Sequence, residues 1–126
     1  MIKSTVATLV CLTALTGFAD EVSLEKDLMP IFAKSCAECH NPESTNRGAI
    51  KNKAFFSTKE DLLGKVGTYI KAGNPEESGL MKVLNQTATF GKKDMPMPPP
   101  KSEIPKFSDE ELKKMADWIK AGAKDN

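Results

Sequence analysis

The sequence predicts an all-α domain of about four helices, on three observations. Apolar residues recur at helical spacing in four stretches. Three of these open on a side chain able to cap a helix, with an acidic partner three residues on. No run alternates apolar and polar residues as a half-buried strand does. The 126-residue chain is short enough for one domain. Aromatic residues make up 6% of it and hydrophobic residues 40%, so an unaided core is thin. Small domains with thin cores need a staple such as a disulfide, a metal or a cofactor.

The first helix runs from about Ser23, with Leu24, Leu28, Ile31 and Phe32 on one buried face. Pro30 lies inside it, where the helix either kinks or starts again. Residues 41–56 read as loop, opened by the Asn41-Pro42 turn. A second helix is expected from a Ser57/Glu60 capping box. Leu62, Leu63, Val66, Tyr69 and Ile70 form its face, and Gly73 ends it. Gly64 and Gly67 weaken that helix, unless they let the backbone pack close to something flat. The third begins with Asn74 as cap, Pro75 as first helical residue and Glu77 as box partner; Leu80, Met81 and Leu84 form its apolar side. Residues 85–107 lose periodicity and collect prolines. The last helix has a Ser108/Glu111 capping box and a Phe107/Leu112 staple. Leu112, Met115, Ala116 and Ile119 form its inner face, Trp118 lies at the edge, and Gly122 stops it. Its natural use is to cross the first helix, with Phe32 near Trp118.

Chemistry enters at Cys36-Ala37-Glu38-Cys39-His40, which contains the chain's single histidine. Two thiols one helical turn apart can each add to a vinyl group of one haem. The imidazole that follows is then placed beneath the iron, and this spacing is a c-type haem attachment signal. A thioredoxin-like redox pair would need a strand–helix–strand setting that the pattern lacks. Structural zinc needs four ligands, one more than Cys36, Cys39 and His40 provide. A plain disulfide or a partial metal site is the remaining alternative.

The N-terminus has the layout of a secretory signal: Met1-Ile2-Lys3, an apolar run from Val6 to Leu15, then the small residues of Gly17-Phe18-Ala19. The run is too short to span a membrane. We expect residues 1–19 to be a signal peptide, taking Cys11 with it, and residues 20–126 to form the domain. An uncleaved anchor is the alternative. Export to the periplasm suits the motif, because bacterial c-type haem is attached outside the cytoplasmic membrane. Loss of Lys3 turns 18 basic against 17 acidic side chains into formal neutrality. Nothing in that balance points to nucleic acid, and no second hydrophobic run points to an integral membrane segment.

With one histidine, the other side of the iron falls to a methionine, a lysine or nothing. Met29, Met81 and Met115 lie on apolar helical faces, where methionine fills cores. Met95 and Met97 lie in Lys93-Asp94-Met95-Pro96-Met97-Pro98-Pro99-Pro100, a segment too irregular for core packing. Flanking prolines reduce the loop's freedom before any bond forms. An exposed polyproline-type spacer is the plainer account.

Pro96-Met97-Pro98-Pro99, followed by Ser108-Asp109-Glu110-Glu111-Leu112 and Trp118-Ile119, resembles the C-terminal half of small bacterial class I cytochromes c. Gly73-Asn74-Pro75-Glu76-Glu77-Ser78-Gly79-Leu80 is similar to a segment preceding the Met-Pro-Pro loop in planctomycete-type cytochrome c domains. The likeness covers most of residues 24–122. It implies a class I cytochrome c-like fold around one haem c, bound through Cys36 and Cys39, with His40 and Met97 as axial ligands. It also implies a one-electron carrier rather than an enzyme, with redox proteins as donor and acceptor, and we expect a monomer. Met95 leaves a second thioether close by. Arg47, Tyr69 and Trp118 are candidates for holding the haem carboxylates, though the 47–56 loop matches neither family closely. Lys92, Lys93, Lys101 and Lys106 surround the methionine loop and are candidates for steering an acidic partner. A gas sensor or peroxidase-like enzyme with an open iron position, and a disulfide-bearing binding protein, are the alternatives.

Overall fold

Ser23 opens the first element by accepting a hydrogen bond from the Lys26 amide. A π-helical turn, Leu24–Leu28, then runs directly into α1, Met29–Ser35. The computed structural model describes residues 21–85, 96–99 and 101–126. The expected leader with Cys11, and Lys92, Lys93, Asp94 and Met95, lie outside the described residues. The Met29 amide reaches back to the Leu24 carbonyl, and Pro30 falls in the first turn of α1. A missing N–H costs little there, so the helix starts again rather than kinks. Leu24, Leu28, Ile31 and Phe32 are buried as expected.

The 41–56 stretch is not wholly loop. It holds one short helix, α2, Arg47–Lys51, whose cap is the Asn46 side chain accepting from the Ala49 amide at 3.0 Å. Only Ala49 of this helix is buried, so there was no apolar period to reveal it.

The expected second helix is shorter and one residue later. Thr58 and Asp61, not Ser57 and Glu60, form the reciprocal capping box of α3, Lys59–Leu63. Gly67, at φ 94°, turns the chain so that Val66 and Ile70 pair as an isolated bridge. No single helical face therefore reaches Gly73. Leu62 and Ile70 are fully buried, while Tyr69 is 37% exposed.

The third helix also starts later than expected. Asn74 does accept from the Glu77 amide, at 3.2 Å, but this closes only a turn. Helix α4 is Gly79–Leu84, burying Leu80, Met81, Val83 and Leu84. The buried Ser78 hydroxyl accepts from the Lys71 amide at 2.9 Å and donates to the Asn74 carbonyl at 2.9 Å.

Helix α5, Asp109–Lys120, carries the predicted box: Ser108 Oγ accepts from the Glu111 amide and Glu111 Oε2 from the Ser108 amide. Trp118 is buried rather than at an edge, its indole N–H donating to the Lys124 carbonyl at 2.9 Å. The helix packs on the π-helical turn and on α4. Phe32 takes Phe56 and Phe107 as ring partners, at 6.1 and 5.9 Å, and not Trp118. Asn126 clasps the start of the first element. Asn126 Oδ1 accepts from the Leu24 amide at 2.9 Å, and Nδ2 donates to the Val22 carbonyl at 3.1 Å. The result is five short α-helices and one π-helical turn, more pieces than the four expected, with no β-strand among the described residues.

Candidate haem-binding site

Where α1 ends, the Cys36 and Ala37 amides both donate to the Phe32 carbonyl. The chain then winds back so that the Cys39 and His40 amides reach the Cys36 carbonyl at 3.2 and 2.9 Å. This tight turn sets the thiols and the imidazole along one wall. Asn41 fastens it, its side-chain amide donating to the Ala37 and Glu38 carbonyls.

His40 is oriented by main chain. Its Nδ1 lies 2.6 Å from the Ala54 carbonyl, which can only accept, so Nδ1 is the donor, and in the neutral imidazole the lone pair is on Nε2. The Phe56 amide donates to the His40 carbonyl at 2.8 Å, and the Phe56 ring stands edge-on to the imidazole, 5.4 Å between centroids. A neutral ring with one nitrogen fixed and the other free is the form that binds a metal.

These residues open onto a cavity of about 870 Å³, whose lining also includes Phe56, Leu80, Val83, Leu84, Met97 and Pro98. That volume falls in the range of roughly 300–1,000 Å³ typical of cofactor sites. Met97 is tied to α4, its amide donating to the Val83 carbonyl at 3.0 Å. Beyond it, the Ser102 hydroxyl donates to the Pro99 carbonyl at 2.8 Å. Cys36, Cys39, His40 and Met97, separate in sequence, thus share one chamber; Met95 lies outside the described residues. Met81 and Met115 are buried in the core, and Met29 packs against it.

The residues present fit a haem. Both thiols are free, and Phe56, Leu80, Val83 and Leu84 make much of the lining apolar. The Ser35 hydroxyl is fully enclosed and has no protein hydrogen-bond partner, a state that costs on the order of 1–3 kcal/mol. Burial pushes the Cys36 thiol up to about 12, and charge on Cys39 adds to the rise. Cys36 is therefore a thiol, not a thiolate, at neutral pH. Among the described residues no group of three or more His, Cys, Asp or Glu is placed to hold a metal ion, which leaves the partial zinc site without support.

Of the candidates for the haem carboxylates, only Tyr69 lines the cavity. Arg47 is exposed and not among the lining residues, and the Trp118 N–H is committed to Lys124. Lys51, Asn52, Lys65 and Thr68 also line the cavity. The pattern also gave no sign of Ala54, which acts through its carbonyl, or of Ser35. Phe56 was signalled only by an aromatic pair, Phe55-Phe56, in a polar loop.

No helix among the described residues is long and apolar enough to cross a membrane. Neither a curated protein nor a solved structure matches the chain. Residues 25–119, which take in the Cys36–His40 turn, the cavity and Met97, match the family described as Cytochrome C oxidase, cbb3-type, subunit III. The chain belongs to this family of haem c electron-transfer domains.

Proposed function

We propose that the protein is an exported c-type cytochrome carrying one haem and one electron at a time, with residues 1–19 as its signal peptide, residues 20–126 as its domain and the periplasm as its compartment. The observation that carries this reading is the convergence of Cys36, Cys39, His40 and Met97 on one cavity. A bound haem supplies reversible one-electron exchange at its iron. The chain supplies the rest. Cys36 and Cys39 would hold the group through two thioethers, and His40 would present Nε2 while Ala54 fixes its other nitrogen. Met97 would offer its thioether from a loop stiffened by Pro96, Pro98 and Pro99. An iron held by both His40 and Met97 would leave no place for a substrate, which favours a carrier over an enzyme or gas sensor. The Met/His pair raises the reduction potential relative to harder ligands. Its partners are redox proteins acting as donor and acceptor, and the working unit is a monomer. Lys101 and Lys106, both exposed, offer positive charge to an acidic partner; Lys92 and Lys93 lie outside the described residues.

Protein made with the haem-attachment machinery tests this. We expect a mass increase of one haem, a low-spin spectrum and a sulfur-to-iron charge-transfer band. Met97→Ala abolishes that band while Met95→Ala retains it. The reverse pattern reassigns the ligand, and high-spin iron that binds carbon monoxide readily moves the protein to the sensor or enzyme class.

A further inference from the structure

Lys65 is held in a way that an ordinary surface lysine is not. Its Nζ donates to the Lys53 carbonyl at 3.1 Å and lies 5.5 Å from the centre of the Phe56 ring. Lys53 is in the left-handed region, at φ 50°. The side chain is half-buried and lines the cavity. No carboxylate pairs with it among the described ion pairs. Its partners are a carbonyl and an aromatic face, both electron-rich and uncharged, so its positive charge is anchored without being cancelled. The same Phe56 meets the His40 imidazole edge-on on its way to the cavity.

We propose that Lys65 is a fixed cation that raises the reduction potential of the haem held by His40, a role that rests on the function proposed above. Reduction adds one electron to the chamber and lowers its positive charge by one. A cation lodged in the wall favours that change, and its effect is stronger where the surroundings exclude water. Phe56 and the Lys53 carbonyl act as its positioning groups.

The test uses the haem-loaded protein and spectroelectrochemical titration of Lys65→Met, Lys65→Arg and Lys26→Met, the last removing equal charge from outside the cavity. At high salt, which screens exposed charges, Lys65→Met should lower the equilibrium constant for reduction several-fold. Lys65→Arg should restore most of it, and Lys26→Met should match the parent. The low-spin spectrum should be the same in all four proteins. An unchanged potential in Lys65→Met, or an equal loss in Lys26→Met, would overturn the proposal. So would a loss that appears together with a new pH-dependent step between pH 5 and 8, because Lys65 would then be pairing with a haem carboxylate. A protein that gains no haem mass would instead refute the cytochrome reading, and the role of Lys65 with it.

Discussion

Ser35 carries a hydroxyl that is fully enclosed and has no protein hydrogen-bond partner, at the end of α1 beside Cys36. Removing a lone buried polar group is favourable, so Ser35→Ala is expected to keep or raise the stability of the haem-loaded protein, as read by denaturant titration followed at the haem band. A loss of about 1 kcal/mol would show that the hydroxyl makes a hydrogen bond there. At this scale the sequence was informative wherever the side chain carries the chemistry. Cys36, Cys39 and His40 were singled out by their spacing, and Met97 by its proline-rich setting and the family resemblance; all four line one cavity. Ala54 was not singled out, because it orients His40 through a carbonyl that every residue possesses, at 2.6 Å. Which carbonyl comes within reach depends on how the 41–56 segment folds back.

At the scale of elements, helix ends were read better than helix lengths. Ser108 and Glu111 close α5 as their spacing requires, and Glu111 also takes a salt bridge from Lys34 of α1 at 2.9 Å. That hydrogen bond is the main cause holding its carboxyl below the usual range, with the Ser108 amide adding to it against a cost from burial. A carboxylate depressed in the folded state stabilises the protein above its unfolded pKa and loses that effect as pH falls through the folded value. Glu111→Gln should therefore flatten the acid side of the stability–pH curve below about pH 5 and leave its alkaline side unchanged, as read by thermal melts across pH. The second helix was misjudged because its apolar residues satisfy helical spacing from Leu62 to Ile70 while its glycines do not permit a helix. Gly67 sits at φ 94° with open space where a Cβ would lie, so only backbone strain opposes a side chain there. Gly67→Ala should cost about 1 kcal/mol or more. Gly48, inside α2, would place its Cβ 3.4 Å from Asn46 Oδ1, an ordinary contact, and Gly48→Ala should stabilise by up to about 1 kcal/mol. Equal effects in the two variants, read by denaturant titration, would show that the left-handed backbone at Gly67 carries no strain for a side chain.

For the whole molecule, the decisive quantity is the chamber. The helices that wall it are short, 12 residues at most in α5 and 5 in α2 and α3, and isolated helices of that length are marginal in water. Their stability comes from packing, and Phe56, Leu80, Val83 and Leu84 border the cavity as well as the core. A group filling the chamber of about 870 Å³ would complete the packing of these side chains. Surface ion pairs such as Lys124–Glu21 and Lys59–Asp125 add little, since exposed pairs are each worth about 0–1 kcal/mol. The thin core anticipated from composition thus borders the chamber, and the chamber's size was not legible because it is set by how distant segments meet. The expected outcome is a strict dependence of folding on the cofactor. A Cys36→Ala/Cys39→Ala variant, exported and purified without haem, should show no cooperative thermal transition by circular dichroism and calorimetry. The haem-loaded parent should show a single transition whose haem-band and far-ultraviolet signals coincide. A haem-free variant that melts cooperatively near the parent's temperature would mean that the helices hold the chamber open by themselves.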